Sequence, residues 1–173
     1  MTTEASPARI YCGTYAKYNR GSIQGAWIDL ADHNDKESFL AACAELHADE
    51  SAPEFMFQDF EGFPRRFYSE SSVPEALWDW LALDEDDRDL LSAYIEATSA
   101  DATATIDDAR DAFAGHYDSG ADFAEDIAEE TGAVPKDFPT WIVIDWEATW
   151  SCNLRFDYVE QEHNGKTYFF RNC

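Results

Sequence analysis

Positive charge is what this sequence has least of. It carries 12 Lys and Arg in 173 residues against 36 Asp and Glu, for a net charge of −24 and an isoelectric point near 4.1. A folded domain with that balance repels phosphate backbones and is drawn to basic surfaces, so direct binding of nucleic acid is disfavoured. Long apolar runs are missing too. No stretch approaches the roughly 18 residues of a membrane-spanning helix, and Met1 to Pro7 has neither the basic nor the apolar region of a secretory leader. Cysteine is sparse: Cys12, Cys43, Cys152 and Cys173 are scattered and form no CxxC pair. That pattern predicts reduced thiols in the cytoplasm, not a disulfide framework.

Catalytic signatures are also absent. The sequence has no GxSxG, HExxH, phosphate-binding or dinucleotide-binding motif, and His33, His47, His116 and His163 have no nucleophile motif around them. The expectation is a protein that is not an enzyme, with no catalytic residues, no cofactor and no metal. Cys43 and His47 stand four apart on an expected helix, but two ligands do not make a zinc site, and a half-buried helix face accounts for them. The acidic run from Asp84 to Asp89 fails as a calcium loop, because its fifth and sixth positions are Arg88 and Asp89 where an EF-hand needs an oxygen ligand and a glycine. Asp145 and Glu147 fall on one face of an expected strand, the kind of carboxylate pair a glycosidase needs, with no cleft implied around them.

What the chain does have is aromatic mass and acid. With 12 Phe, 8 Tyr and 6 Trp it has the apolar surface to offset chain entropy, so it should fold instead of behaving as an acidic tail. The acid is concentrated. Residues 1–66 hold 11 acidic and 6 basic side chains, residues 67–138 hold 20 and 3, and residues 139–173 hold 5 and 3. Salt adaptation would coat every surface; a charge gathered into one segment points to a partner.

Periodicity predicts an α+β protein. Arg9–Tyr15 and Ala26–Leu30 read as strands around a turn at Asn19-Arg20-Gly21. A helix follows from Asp35 with Phe39, Leu40, Cys43 and Leu46 or His47 on one face, and Phe55-Met56-Phe57 reads as a strand. The middle reads as helical. Ser71 or Ser72 caps a helix with Pro74 in its first turn and Leu77, Trp78 and Leu81 inward. Asp84 caps the next, over Leu90, Leu91, Tyr94 and Ile95. A third helix is expected over Asp107–Tyr117, burying Ala109, Ala112 and Phe113, and a fourth over Ser119–Thr131 with Phe123 and Ile127 inward. The C-terminal part is expected to return to strands at Trp141–Trp146, Leu154–Val159 and Lys166–Arg171, with His163-Asn164-Gly165 as a hairpin turn. These readings divide the chain into an N-terminal α+β domain at 1–64, an acidic helical domain at 65–104 and a C-terminal α+β domain at 105–173.

Three stretches carry a resemblance. Ile10-Tyr11-Cys12-Gly13-Thr14-Tyr15-Ala16-Lys17-Tyr18-Asn19, then Gly25-Ala26-Trp27-Ile28-Asp29-Leu30 after Gly21-Ser22, then Pro53-Glu54-Phe55-Met56-Phe57-Gln58-Asp59, resemble the antirestriction protein ArdA family. The similarity is dense over residues 9–67, looser through the middle, and returns near Asp157–Asn172. It implies a non-enzymatic protein of mobile genetic elements: three small domains in an elongated row, a homodimer joined through the C-terminal domain, and a curved acidic rod resembling bent DNA. Such proteins occupy the DNA groove of type I restriction-modification enzymes. The family's acidic antirestriction stretch corresponds here to Asp122-Phe123-Ala124-Glu125-Asp126-Ile127-Ala128-Glu129-Glu130.

The candidate DNA-mimicking surface, expected to bind the methyltransferase core of such an enzyme, comprises Glu70, Glu75, Asp79, Asp84, Glu85, Asp86, Asp87, Asp89, Glu96, Asp107, Asp108, Asp111, Asp118, Asp122, Glu125, Asp126, Glu129 and Glu130. Twice the chain's charge of −24, laid out at one charge per about 1.7 Å, corresponds to roughly 80 Å of duplex. An acidic adaptor or chaperone for another basic nucleic-acid-binding protein meets the same charge argument.

Overall fold

The computed structural model describes residues 6–100 and 103–172, and the chain separates into two compact units, Met1–Leu83 and Asp84–Cys173. Both mix helices with a small antiparallel sheet, so the fold class is α+β.

In the first unit, β1 (Arg9–Thr14) lies between β2 (Ala26–Asp29) and β3 (Phe55–Glu61). The strand expected to reach Tyr15 stops at Thr14, whose hydroxyl accepts the Lys17 N–H and starts a short helix, α1 (Tyr15–Asn19), that the sequence reading treats as strand and turn. Helix α2 (Lys36–Leu46) begins where Asp35 caps the Ser38 N–H at 2.8 Å. It turns Phe39, Cys43 and, just past its end, His47 inward, while Leu46 is exposed and Leu40 half-buried. Phe39 is the centre of this core, with its ring 5.7 Å from both Phe57 of β3 and Trp78 of α3 (Ala76–Leu81). Neither Ser71 nor Ser72 caps α3; Glu75 precedes it without a side-chain cap, and Leu77 bonds back to the Pro74 carbonyl. Leu77 is buried as expected, but Trp80 is its buried companion and Trp78 and Leu81 are half-buried.

The second unit is a three-layer sandwich. Its sheet has the order β4 (Phe113–His116), β6 (Lys166–Arg171), β5 (Tyr158–His163). Because side chains alternate along a strand, Tyr168 and Phe170 of β6 enter one core and Phe169 the other. On the first face lie α4 (Glu85–Thr98) and α5 (Ile106–Ala112), through Ala93, Ala112 and the flanking Leu90 and Tyr94. On the second lie α6 (Gly120–Glu130) and α7 (Trp146–Cys152), through Phe123, Ala124 and Trp150. Phe123 stacks on Phe169 with centroids 4.8 Å apart. Each such ring stabilises the unit by about 1.5–3 kcal/mol. Gly120 lets the two helices close, since a Cβ there would sit 2.3 Å from the Trp150 ring.

Three expectations in this unit are corrected. The helix expected over Asp107–Tyr117 ends at Ala112, and Phe113–His116 is a strand, because pairing with β6 outweighs the local helical pattern. The strand expected over Trp141–Trp146 does not form. Asp145 instead caps the Ala148 N–H at 2.9 Å and starts α7 at Trp146, while β4 takes the open side of β6. Residues Leu154–Phe156 form a 3-10 turn, so β5 begins only at Tyr158. The expected hairpin does form: Asn164 and Gly165, both at positive φ, join His163 to Lys166 as the strand twist requires.

Candidate partner-binding surface

Most of the candidate carboxylates lie on, or at the start of, helices packed on these cores, with Glu70 and Asp118 in loops. All are exposed except Asp87 and Asp89, which are half-buried. In the first unit they are Glu70, Glu75 and Asp79, and Glu70 accepts a 3.0 Å hydrogen bond from the Tyr15 hydroxyl. Desolvation, then that bond, pushes the Tyr15 phenol above its ordinary range.

The second unit holds the rest, on opposite faces of one sheet. Asp84 caps α4 by accepting the Asp87 N–H at 2.8 Å, with Glu85, Asp86 and Asp87 in the first turn where the helix dipole favours anions. Asp107 and Asp108 open α5. Asp108 closes a capping box with Thr105, and the Thr105 N–H and hydroxyl hold its carboxyl below the usual range. Across the sheet, Asp122, Glu125, Asp126 and Glu129 recur at spacings of three and four along α6 and form its exposed face, behind Ser119 as the cap. Acid that is continuous in the sequence is thus divided between two faces of the sheet.

Part of the α4 acid also has partners within the unit. Arg110 contacts Asp87 at 2.6 Å, Lys166 lies 3.8 Å from Asp86, and the hairpin brings His163 to 3.5 Å from Asp89 and 3.3 Å from Glu96. Asn164 adds a 2.8 Å bond to Asp89. These partners come from as far as 75 residues away, beyond any sequence window. On α6 the tie is different: the Tyr117 hydroxyl donates to Asp126 at 2.5 Å, which with desolvation raises the Tyr117 pKa to about 12. The side chains of Glu85, Asp111, Asp118, Asp122, Glu125, Glu129 and Glu130 make no hydrogen bond or ion pair among the described residues. All seven are exposed.

A profile of the antirestriction protein ArdA family matches residues 10–165. The chain belongs to the ArdA antirestriction family. The match runs from Ile10 in β1 to Gly165 in the β5–β6 turn, and so through both units. The family's role is antirestriction, as inhibitors that act on restriction-modification enzymes, and that is the role of this ArdA chain. No curated protein matches the chain significantly. No helix among the described residues is long and apolar enough to cross a membrane.

The other candidates resolve into structural roles. Cys43 hydrogen-bonds with Cys12, and that contact together with burial pushes its thiol upward, away from a reactive thiolate. His47 uses both ring nitrogens, one on the Cys12 carbonyl at 3.1 Å and one on the Lys17 ammonium at 2.9 Å. Lys17 also reaches Asp49 at 3.0 Å, the main reason that carboxyl is held low. Asp145 and Glu147 share no strand; both sit at the start of α7.

Proposed function

We propose that this ArdA protein is a DNA mimic that inhibits type I restriction-modification enzymes by occupying the DNA groove of their methyltransferase core. The observation that carries the reading is the set of exposed, internally unanswered carboxylates fixed on core-anchored helices, with α6 as the clearest case. A phosphate backbone is a rigid array of monovalent anions. A carboxylate array substitutes for it when a scaffold holds the charges, which is what the Phe123–Phe169–Trp150 core does for α6. Displacing DNA then becomes an exchange of one polyanion for another, sensitive to salt. The protein itself binds no nucleic acid, acts in the cytoplasm without catalysis or a cofactor, and works as a homodimer. Trp141 and Val143, 81% and 91% exposed in the C-terminal unit, support the last point as an apolar surface in want of a cover.

The test is displacement of DNA from a type I methyltransferase core by the purified protein across a salt series. Displacement at low salt that fades as salt rises is expected. DNA that stays bound under excess protein at low salt rejects the groove-occupying mechanism.

A further inference from the structure

Beside the acidic end of α4, the second unit has a cleft of about 260 Å³ lined by Asp86, Asp87, Leu90, Phe113, His116, Lys166 and Tyr168. It is not merely a gap between surface charges. Its floor is aromatic: the His116 ring stands edge-on to Tyr168 with centroids 4.4 Å apart, and to Phe113 at 5.1 Å. Tyr168 is 2% exposed, yet its hydroxyl has no hydrogen-bond partner among the described residues. The hydroxyl itself reaches solvent in the cleft, so it is open to a donor entering there.

We propose that this cleft receives an arginine side chain of the partner enzyme, with the guanidinium against the accessible parts of the Phe113 and His116 rings, the Tyr168 hydroxyl oxygen accepting one N–H and Asp86 another. The inference rests on the basic-groove reading above and adds a discrete locus to it. A guanidinium fits because it is flat, stacks on aromatic rings and has several donors in one plane, whereas an ammonium is compact and strongly hydrated. The rim already takes cations from the protein's own chain. Arg110 holds Asp87 at 2.6 Å from outside, and Lys166 stands 3.8 Å from Asp86. The Lys166 and Asp86 side chains are 52% and 91% exposed, so that pair is loose and the lysine can swing away. Lys166 is therefore a resident competitor that an incoming arginine displaces.

The probe is ethylguanidinium, titrated into the full chain and followed by backbone amide shifts, with ethylammonium and sodium chloride at matched ionic strength as controls. Saturable shifts centred on Phe113, His116 and Tyr168 are expected, with ethylammonium at least fivefold weaker. Tyr168→Phe, which keeps the ring, should weaken binding at least threefold without lowering Tm; Lys166→Met should strengthen it about threefold. Linear shifts spread over all the acidic helices, equal response to both cations, or an unchanged Tyr168→Phe titration would overturn the proposal. The two readings fail separately. A wild-type protein that displaces DNA but ignores ethylguanidinium rejects the cleft alone, whereas one that binds ethylguanidinium but does not displace DNA rejects the mimic alone.

Discussion

Neutralising α6 should make the protein more stable and a poorer inhibitor at once. The helix sets like charges against one another at Asp122–Glu125, Asp122–Asp126, Glu125–Glu129 and Asp126–Glu129. Each such pair costs about 0.2–0.5 kcal/mol. The triple change Asp122→Asn, Glu125→Gln, Glu129→Gln relieves all four, roughly 1–2 kcal/mol in total. It forfeits the favourable position of Asp122 in the first turn, about 0.3–1 kcal/mol. The net gain of about 0.5–1 kcal/mol should raise the melting temperature of the second unit by roughly 2–8 °C. Asp126 is left alone because it accepts the Tyr117 hydroxyl. On the binding side, exposed charge contacts are worth about 0.5 kcal/mol each, so three lost contacts should weaken inhibition about tenfold and a single one only two- to threefold. Calorimetric melting and the DNA-displacement titration measure the two quantities on the same sample. A variant that is stabilised yet equally potent would refute the assignment of α6 to the interface, and one abolished by a single change would refute distributed recognition.

Phe123→Ala should cost the second unit about 3–5 kcal/mol, because it removes the ring that stacks on Phe169 and meets Trp150 edge-on; urea unfolding of the variant measures the loss. Tyr117, with its pKa at about 12, should ionise above free tyrosine in an ultraviolet pH titration, and Asp126→Asn should bring the midpoint down. Since the raised pKa favours the protonated phenol in the fold, its stabilisation is complete below pH 10 and disappears as pH rises through about 12. Trp141→Glu together with Val143→Glu should halve the mass measured by light scattering, and an unchanged mass would remove the apolar stretch from the dimer contact. Native thiol labelling should mark exposed Cys152 and spare buried Cys12 and Cys43 until the chain is unfolded.

Local chemistry was legible where it was strong. Ser119, Asp84 and Asp35 each carry a cap that fixes a helix start, and Asn164-Gly165 dictates a tight hairpin. The alternation of acid and apolar residues on α6 was readable because its period is a property of the helix alone. What stayed hidden depends on distant pairing. The sequence from Phe113 to His116 has Ala and Gly where a strand usually has branched residues, and only β6 makes it one. Trp141–Ile144 has strong strand propensity, but propensity cannot report whether a sheet edge is open to it. The placement of α4 and α6 acids on opposite faces follows from the alternation of Tyr168, Phe169 and Phe170 about β6, which no reading of the helices themselves contains. Neither did the sequence reveal that Arg110 and Lys166 would answer part of the α4 charge, or that the hairpin would bring His163 beside Asp89 and Glu96.

That same strand sets the order of events during synthesis. Both cores of the second unit take their central rings from Lys166–Arg171, so neither acidic layer has anything to close upon until translation has passed those residues. The first unit is complete at Leu83, about 90 residues earlier, which at 5–20 residues per second is a lead of roughly 5–20 s. During that interval the most acidic part of the chain lacks the rings its cores are built on, and its like charge opposes collapse and self-association. Ribosomes that stop short of Tyr168 would release a chain with a finished first unit and no acidic scaffold.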